Sequence, residues 1–376
     1  MNEGWKIENL GSLCRVRTGK KDVNQGNPNG AFPFFTCAAE HTYSDSYSFD
    51  TEALLIAGNG DVGKVSYYQG KFEAYQRTYV LSDFVGVMPR FLYLMLDGKL
   101  KDTVSKQKLG NTMPYIKVGM LTDFSIPLPP LPEQQRIVGI LDEAFDGIAT
   151  AKANAKRNLQ NARALFESHL QSVFTQRGEG WVDRQLSTLC QGITVGYVGP
   201  MATQYRESGI PFLRSQNIRP FEVSLENVVF INEAFHRSLK KSCLRAGDLA
   251  IVRTGYPGTA AVIPPELADA NCSDLVIVRP TPEVNPHFLA AFFNSAFGKQ
   301  LVLGKIVGAA QKHFNVGAAK DVWLHLPPMA KQIEIIGLVS TLRQETQRLE
   351  SIYQQKLAAL DELKQSLLHQ AFTGQL

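Results

Sequence analysis

Read against itself at a constant offset of 198 residues, the chain repeats. "LPPLPEQQRIVGIL" (128–141) aligns with "LPPMAKQIEIIGLV" (326–339), and the match runs without a gap from Leu128/Leu326 to Thr175/Thr373. Twelve of these 48 positions are identical, where ordinary composition gives roughly three by chance. Gln134/Gln332, Ile137/Ile335, Gly139/Gly337, Leu159/Leu357 and Phe174/Phe372 are among them. The segments ahead of these blocks pair more loosely. "WKIENLGSLC" (5–14) matches "WVDRQLSTLC" (181–190) at Trp5/Trp181, Leu10/Leu186, Leu13/Leu189 and Cys14/Cys190. "GNTMPYIKVGMLTDFSIPLPP" (110–130) meets "GAAQKHFNVGAAKDVWLHLPP" (308–328) at Gly110/Gly308, Val118/Val316, Gly119/Gly317 and Asp123/Asp321. A repeat of this size constrains the fold before any residue-level reading, since each copy must build the same unit. The chain is a tandem of variable segment and similar segment, twice over.

The repeated block reads as a long helix. From Glu133 to Gln176 there is no proline, and apolar residues recur at 137, 141, 144, 148, 151, 155, 159, 162, 166, 170 and 173. Steps of three and four average near 3.5 residues, which is the coiled-coil seam. Residues 331–373 repeat the seam through Ile335, Val339, Leu342, Leu349, Leu357, Leu363 and Leu367. Pro129, Pro130 and Pro132 mark the start of the first helix, and Gly178 and Gly180 its stop. The spacing predicts helices over 133–176 and 331–373, each about 66 Å long. Lys331, Ala330 and Ile333 break the Pro-x-x-Glu-Gln pattern of the first block, so the second helix is expected to start slightly differently. Such a seam needs a partner. If the copies are related by a pseudo-two-fold axis, the two helices pair antiparallel, through Ile137, Leu141, Ile148, Leu159 and Phe166 and through Ile335, Val339, Leu349, Leu357 and Leu367. The alternative is that each helix packs only on its own globular segment.

Residues 1–127 and 178–325 mix short strands ("ALLIA", "KVSYY", "TYVL", "VVFI", "LAIV", "LVIVRP") with Gly, Pro and Asn turns, and each ends in a helical stretch. The predicted fold class is α+β: two globular domains of mixed strands and helices (1–127 and 178–325), each followed by a long helix (128–177 and 326–376). "GNGDVGKV" (58–65) imitates a phosphate loop, with Gly58, Gly63 and Lys64 in place, but Val65 stands where a magnesium-holding hydroxyl belongs. Its counterpart "LAIVRTGYPGTAAV" (249–262) keeps Gly60/Gly255 and Gly63/Gly258 without the lysine. What recurs is strand, G-x-x-G turn, strand. A P-loop hydrolase using this stretch is the competing enzymatic reading.

Charge is spread evenly: the net charge is +4, residues 1–128 carry 14 Lys+Arg against 13 Asp+Glu, and residues 178–326 carry 14 against 12. Any DNA-facing surface must therefore be local. Cationic runs at 14–21, 99–117, 236–245 and 304–314 occupy parallel places in the two halves. Singly each reads as a solvated face; together they point to nucleic acid. "PFLRSQNIRP" (211–220) is either a base-reading segment or a polar strand–loop junction. The candidate DNA contacts are Arg15, Arg17, Lys20, Lys64, Arg77, Lys106, Lys108 and Asn111 in the first half. In the second they are Arg214, Gln216, Asn217, Arg219, Arg253, Tyr256, Lys305, Gln311, Lys312 and His313. Five cysteines without a C-x-x-C pair predict reduced thiols in a cytoplasmic protein. "MNEGWKIENL" has no signal-peptide pattern, no run is long enough to span a bilayer, and no histidine spacing suits a metal. No catalytic residue is assigned: a methyltransferase N-P-P-Y-like tetrad, a complete Walker motif and a nucleophile–base arrangement are all absent from the sequence.

With "PLPPLPEQQRIV", "GDLAIVRTGYPG" and the ending "HQAFTGQL", the chain resembles the specificity subunit of type I restriction-modification systems over nearly its full length. The resemblance implies a non-catalytic subunit whose two domains each read one half of a split, asymmetric target in the major groove of double-stranded DNA. It also implies that the helical pair sets the spacer and docks two methyltransferase subunits, joined by restriction/translocase subunits. S-adenosylmethionine, ATP and Mg then belong to those partners. A coiled-coil adaptor without a DNA role is the remaining alternative.

Overall fold

The computed structural model describes residues 4–107, 109, 114–176, 178–201, 203–304 and 313–376. The chain divides into two units: unit 1 is Met1–Lys156 with Gln354–Leu376, and unit 2 is Arg157–Tyr353.

Unit 1 opens with β1 (Lys6–Asn9), α1 (Leu10–Leu13), β2 (Arg15–Thr18), β3 (Phe32–Phe35), β4 (Thr42–Ser44), β5 (Phe49–Ala57), β6 (Val65–Ala74) and β7 (Thr78–Ser82). It continues through α2 (Pro89–Gln107), α3 (Val118–Thr122), β8 (Ser125–Leu128) and the start of α4 (Leu131–Thr175). One sheet, in the order β2-β7-β5-β6-β3-β4, forms its centre. β5 reads as a continuous apolar run because both of its faces are covered. Leu54 and Ile56 join Phe91, Leu92 and Met95 of α2, while Ala53 and Leu55 join Phe72 and Val80 on the other face.

Unit 2 takes up the rest of α4, then β9 (Val182–Gln185), β10 (Cys190–Val195), β11 (Tyr205–Arg206), β12 (Ile210–Leu213), β13 (Ile218–Arg219), β14 (Glu222–Val223) and β15 (Val229–Ile231). After α5 (Glu233–Ser238) come β16 (Leu249–Val252), β17 (Ala260–Val262), β18 (Asn271–Cys272) and β19 (Leu275–Pro280). α6 (Pro286–Asn294), α7 (Ala296–Gly304), α8 (Val316–Lys320), β20 (Trp323–Leu326) and α9 (Met329–Thr373) complete the chain. Its sheet β10-β19-β16-β17 has the strand order of β2-β7-β5-β6, and β9–β20 repeats the β1–β8 pair.

Both long helices are 45 residues, about 68 Å at 1.5 Å per residue. They begin at Leu131 and Met329, which are the same repeat position, so the second helix starts where the first does and not, as the altered "MAKQIEI" suggests, at a different place. A buried glutamine explains this. Gln134 Nε2 donates to Gly86 O and Pro129 O at 3.2 and 2.9 Å, and its Oε1 accepts from Met88 N at 2.8 Å. Gln332 repeats the arrangement on Glu283 O, Pro327 O and Asn285 N at 3.2, 2.9 and 2.8 Å. Each glutamine ties the first turn of a long helix to the loop ahead of the domain's own helix, whatever residues flank it.

The helix ends serve the globular cores. Ile137 and Leu141 lie in the core of unit 1 beside Leu368, Ala371 and Phe372 of α9. In unit 2, Leu170 and Phe174 of α4 share a core with Ile335 and Val339. Phe372 meets the Phe91 ring edge-on at 5.5 Å, and Phe174 meets Phe288 at 5.3 Å. At these ends, residues expected from the seam to face another helix pack into a sheet-and-helix core. Farther along, Ile148 is buried and Leu159, Leu349 and Leu357 are half-buried. Polar contacts also join the two helices within a unit. Lys152 pairs with Asp361 and Lys364 lies 5.1 Å over the Phe145 ring in unit 1, while Arg163 pairs with Glu350 at 2.7 Å in unit 2.

Candidate nucleic-acid interface

In both units the recurring glycine turn joins two antiparallel strands. β5 and β6 pair from Phe49↔Phe72 to Ile56↔Val65, and β16 and β17 pair from Leu249↔Val262 to Ile251↔Ala260. Gly60 and Gly63 have φ of +64° and +82°, and Gly255 and Gly258 have +78° and +90°. These are left-handed values that cost glycine least, which is why the spacing G-x-x-G survives while the residues between change. The turn closes identically: Gly63 N donates to Ala57 O at 2.9 Å, and Gly258 N to Val252 O at 3.0 Å. This is a strand-turn-strand element in each half, and the lysine beside it is a strut. Lys64 Nζ donates to the carbonyl oxygens of Ala38 and Ala39, half-buried, and so pins the 36–41 loop over a cavity of about 390 Å³.

The residue after the central strand anchors the rest of the site. In unit 1, Gly58 N donates to Arg77 O at 3.0 Å and Gly58 O accepts from Ile116 N at 3.0 Å. In unit 2, Arg253 N donates to Asp274 O at 3.4 Å and Arg253 O accepts from Phe314 N at 3.2 Å. Gly19 N to Thr78 O and Gly196 N to Leu275 O, at 3.3 and 2.8 Å, bring the end of β2 and of β10 to the same place. Four segments far apart in sequence thus converge at one end of each sheet. In unit 1 they line a cleft of about 490 Å³ formed by Thr18, Gly58, Gln76, Arg77, Tyr79, Tyr115, Ile116, Lys117 and Val118. Gln76 is not among the residues the sequence singles out, and Tyr115 and Lys117 enter there only as the end of the 99–117 run; the fold brings all three to Arg77.

Apart from Lys64, the sequence-predicted contacts fall into four groups. Arg15, Lys20, Arg77, Gln216, Arg219 and Tyr256 are exposed, Tyr256 at 83%. Arg219 pairs with Glu226. Arg17, Arg214, Arg253 and His313 are partly covered. Arg17 Nη2 donates to Ser82 Oγ at 2.7 Å and sits 5.4 Å over the Phe49 ring. Arg214 Nη2 donates to Asn227 O at 2.8 Å and lies 5.8 Å over Tyr205. Asn217 departs from expectation. It is fully buried; its Oδ1 accepts from Arg214 N at 3.0 Å and its Nδ2 donates to Ser224 O and Glu226 O at 2.9 and 3.2 Å. With its amide used internally, Asn217 shapes the loop that carries Arg214 and Gln216 and offers no edge to a base. Lys108, Asn111, Lys305, Gln311, Lys312 and the Lys106 side chain lie outside the described residues.

Buried titratable groups serve structure here. Burial pushes the Cys14 and Cys190 thiols, at matching repeat positions, up to about 12. Burial also raises the Asp248 carboxyl, against the pull of the Arg245 backbone N–H and of Arg279, 3.4 Å away. Among the described residues, no group of three or more His, Cys, Asp or Glu could hold a metal ion. None of their helices is long and apolar enough to cross a membrane.

Residues 2–160 match the family model described as "Type I restriction modification DNA specificity domain". The Escherichia coli type I restriction enzyme EcoDI specificity subunit is 38% identical over 175 residues, 46% of this chain and 38% of that protein. The EcoBI specificity subunit of Escherichia coli is 24% identical over 315 residues, 76% of this chain and 65% of that one. The chain thus aligns with 38% and 65% of the length of these two relatives. The MjaVIII specificity subunit of Methanocaldococcus jannaschii is 21% identical over 93% of this chain and 90% of its own. Among solved structures, a chain described under complex assembly and conformational transition of the type I R-M system superposes with a TM-score of 0.80 at 18% identity, covering 100% of this chain and 99% of that one. The HsdS subunit from Thermoanaerobacter tengcongensis gives 0.61 at 18% identity, over 99% and 97%. At such identities the likeness is one of fold.

Proposed function

Because residues 2–160 match the type I restriction modification DNA specificity domain and a specificity subunit is 38% identical over 175 residues, we propose that this chain is a type I restriction-modification specificity subunit that reads a bipartite, asymmetric DNA target, one half with each unit. The observation that carries this reading is the pair of equivalently built strand-end sites. Each joins the glycine turn, the start of the next strand and the segment after the helix, and each carries different side chains. Equal architecture supplies two readers; unequal residues supply two different half-sites. The long helices pair antiparallel as a ruler for the spacer and dock two methyltransferase subunits, which restriction/translocase subunits then join. Methylation and cleavage, with S-adenosylmethionine, ATP and Mg, belong to those partners, in the cytoplasm, and this chain contributes recognition without catalysis.

Selection of bound duplexes from a randomised pool, with the full-length chain and the subunits that co-purify with it, tests the proposal. Two unlike short motifs at a constant spacing are expected. A single contiguous motif, or a perfect palindrome, contradicts it.

A further inference from the structure

The two strand-end sites each carry one arginine, but from opposite strands. In unit 1 the facing pair is Gly58 and Arg77; in unit 2 it is Arg253 and Asp274. The reason for the exchange is steric. A Cβ on Gly58 would lie 2.4 Å from Arg77 O and 2.8 Å from the Tyr79 ring, whose hydroxyl is held by Ile116 O at 2.8 Å. Position 58 therefore admits no side chain. In unit 2 the strand residue matching Tyr79 is Val276, opposite Ile251 as Tyr79 is opposite Ile56. There the ring is replaced by a smaller side chain and the facing backbone is wider, Arg253 N to Asp274 O at 3.4 Å against 3.0 Å for Gly58 N to Arg77 O, and position 253 carries an arginine.

The setting of Arg253 differs from that of an ordinary surface cation. Its side chain is only 16% exposed, and its Nε is buried with no hydrogen-bond partner among the described residues. Nη1 faces Asp274 Oδ1 at 3.9 Å. Asp274 is itself fixed: Oδ2 accepts from Ser215 Oγ at 3.1 Å and from the Thr254 hydroxyl, on a backbone held at φ +55°. A non-glycine residue in the left-handed region persists only where its surroundings over-determine it, and such residues gather at functional sites. A phosphate contact needs charge and little orientation. A guanidinium confined beside a fixed carboxylate 3.9 Å away has a restricted range of orientations, and its planar fork suits O6 and N7 of guanine together.

We propose that Arg253 reads a guanine in the half-site of unit 2, and that Asp274 is a positioning residue that orients its guanidinium. The inference rests on the DNA-reading function proposed above. The test is duplex selection, with affinities measured across a salt series, on the full-length chain as it purifies and on its Arg253→Ala, Arg253→Lys and Asp274→Asn variants. The wild type is expected to prefer guanine at one position of one half-site by roughly 5- to 150-fold. Arg253→Ala should remove that preference and leave the other half-site untouched, with Arg253→Lys retaining part of it. Asp274→Asn should lower the same preference with an unchanged salt slope, which a general loosening of the domain would not do. If Arg253→Lys, which keeps the charge, selects the wild-type motif unaltered, the oriented guanidinium fork is not what discriminates and the inference fails. If Arg253→Ala weakens all sequences alike and lowers the salt slope by about one, the residue is a phosphate contact and the inference fails. A wild-type chain that selects no motif removes the proposed function itself, and this inference with it.

Discussion

Gln134 and Gln332 do at residue scale what flanking sequence does not. Each makes three hydrogen bonds that lock the first turn of a long helix to its domain, with matching distances in both units. Gln134→Ala leaves Met88 N, Gly86 O and Pro129 O without their partner, so a loss of about 1–3 kcal/mol is expected in urea unfolding, and Gln332→Ala should match it. A loss below a few tenths contradicts the assignment. The repeated cysteines make a second case. A thiol ionises near 9.0 when unfolded, and burial pushes Cys14 and Cys190 up to about 12 in the fold. With the folded pKa above the unfolded one, their contribution is fully present below pH 9.0 and is lost as pH rises toward 12. Urea midpoints should therefore fall less steeply with pH above 9.0 in the Cys14→Ala/Cys190→Ala variant than in the wild type. Parallel slopes refute the point. Both residues were legible in the sequence as repeat identities; their partners were not.

At the scale of elements, the seam of the long helices was the clearest signal in the chain, because a 3.5-residue period leaves little choice of structure. It did not tell which apolar residues face a helix and which face a core. Ile137 and Ile335 continue the seam yet sit among domain residues, since the first turns of each helix lie on a globular segment. The middle of the helices is where the ruler proposal can be tested. Inserting roughly four residues, about one turn, between 148 and 160 shifts the register of the seam. The preferred DNA spacer should lengthen or binding should be lost. Tight binding at the original spacing defeats the ruler. The glycine turn was equally legible, because φ near +80° at Gly63 and Gly255 restricts the residue type.

For the whole molecule, a net charge of +4 spread evenly along the chain means that the proposed DNA affinity has to come from local sites. Affinity for random duplex should still fall linearly on a log–log plot with salt, by about 0.9 for each phosphate neutralised. Fluorescence anisotropy that finds no duplex binding at low salt would leave a helical adaptor as the better account. The sequence by itself determined the tandem plan, the long helices and the strand-turn-strand elements, because periodicity, glycine conformation and proline placement are local restrictions written residue by residue. Only the tertiary structure decided which distant residues share a site. It brought Gln76 and Lys117 to Arg77, buried Asn217, turned Lys64 inward and set Asp274 beside Arg253. Those neighbourhoods follow from strand order and from steric room, such as Tyr79 in one unit against Val276 in the other, and neither quantity is carried by any short stretch of chain.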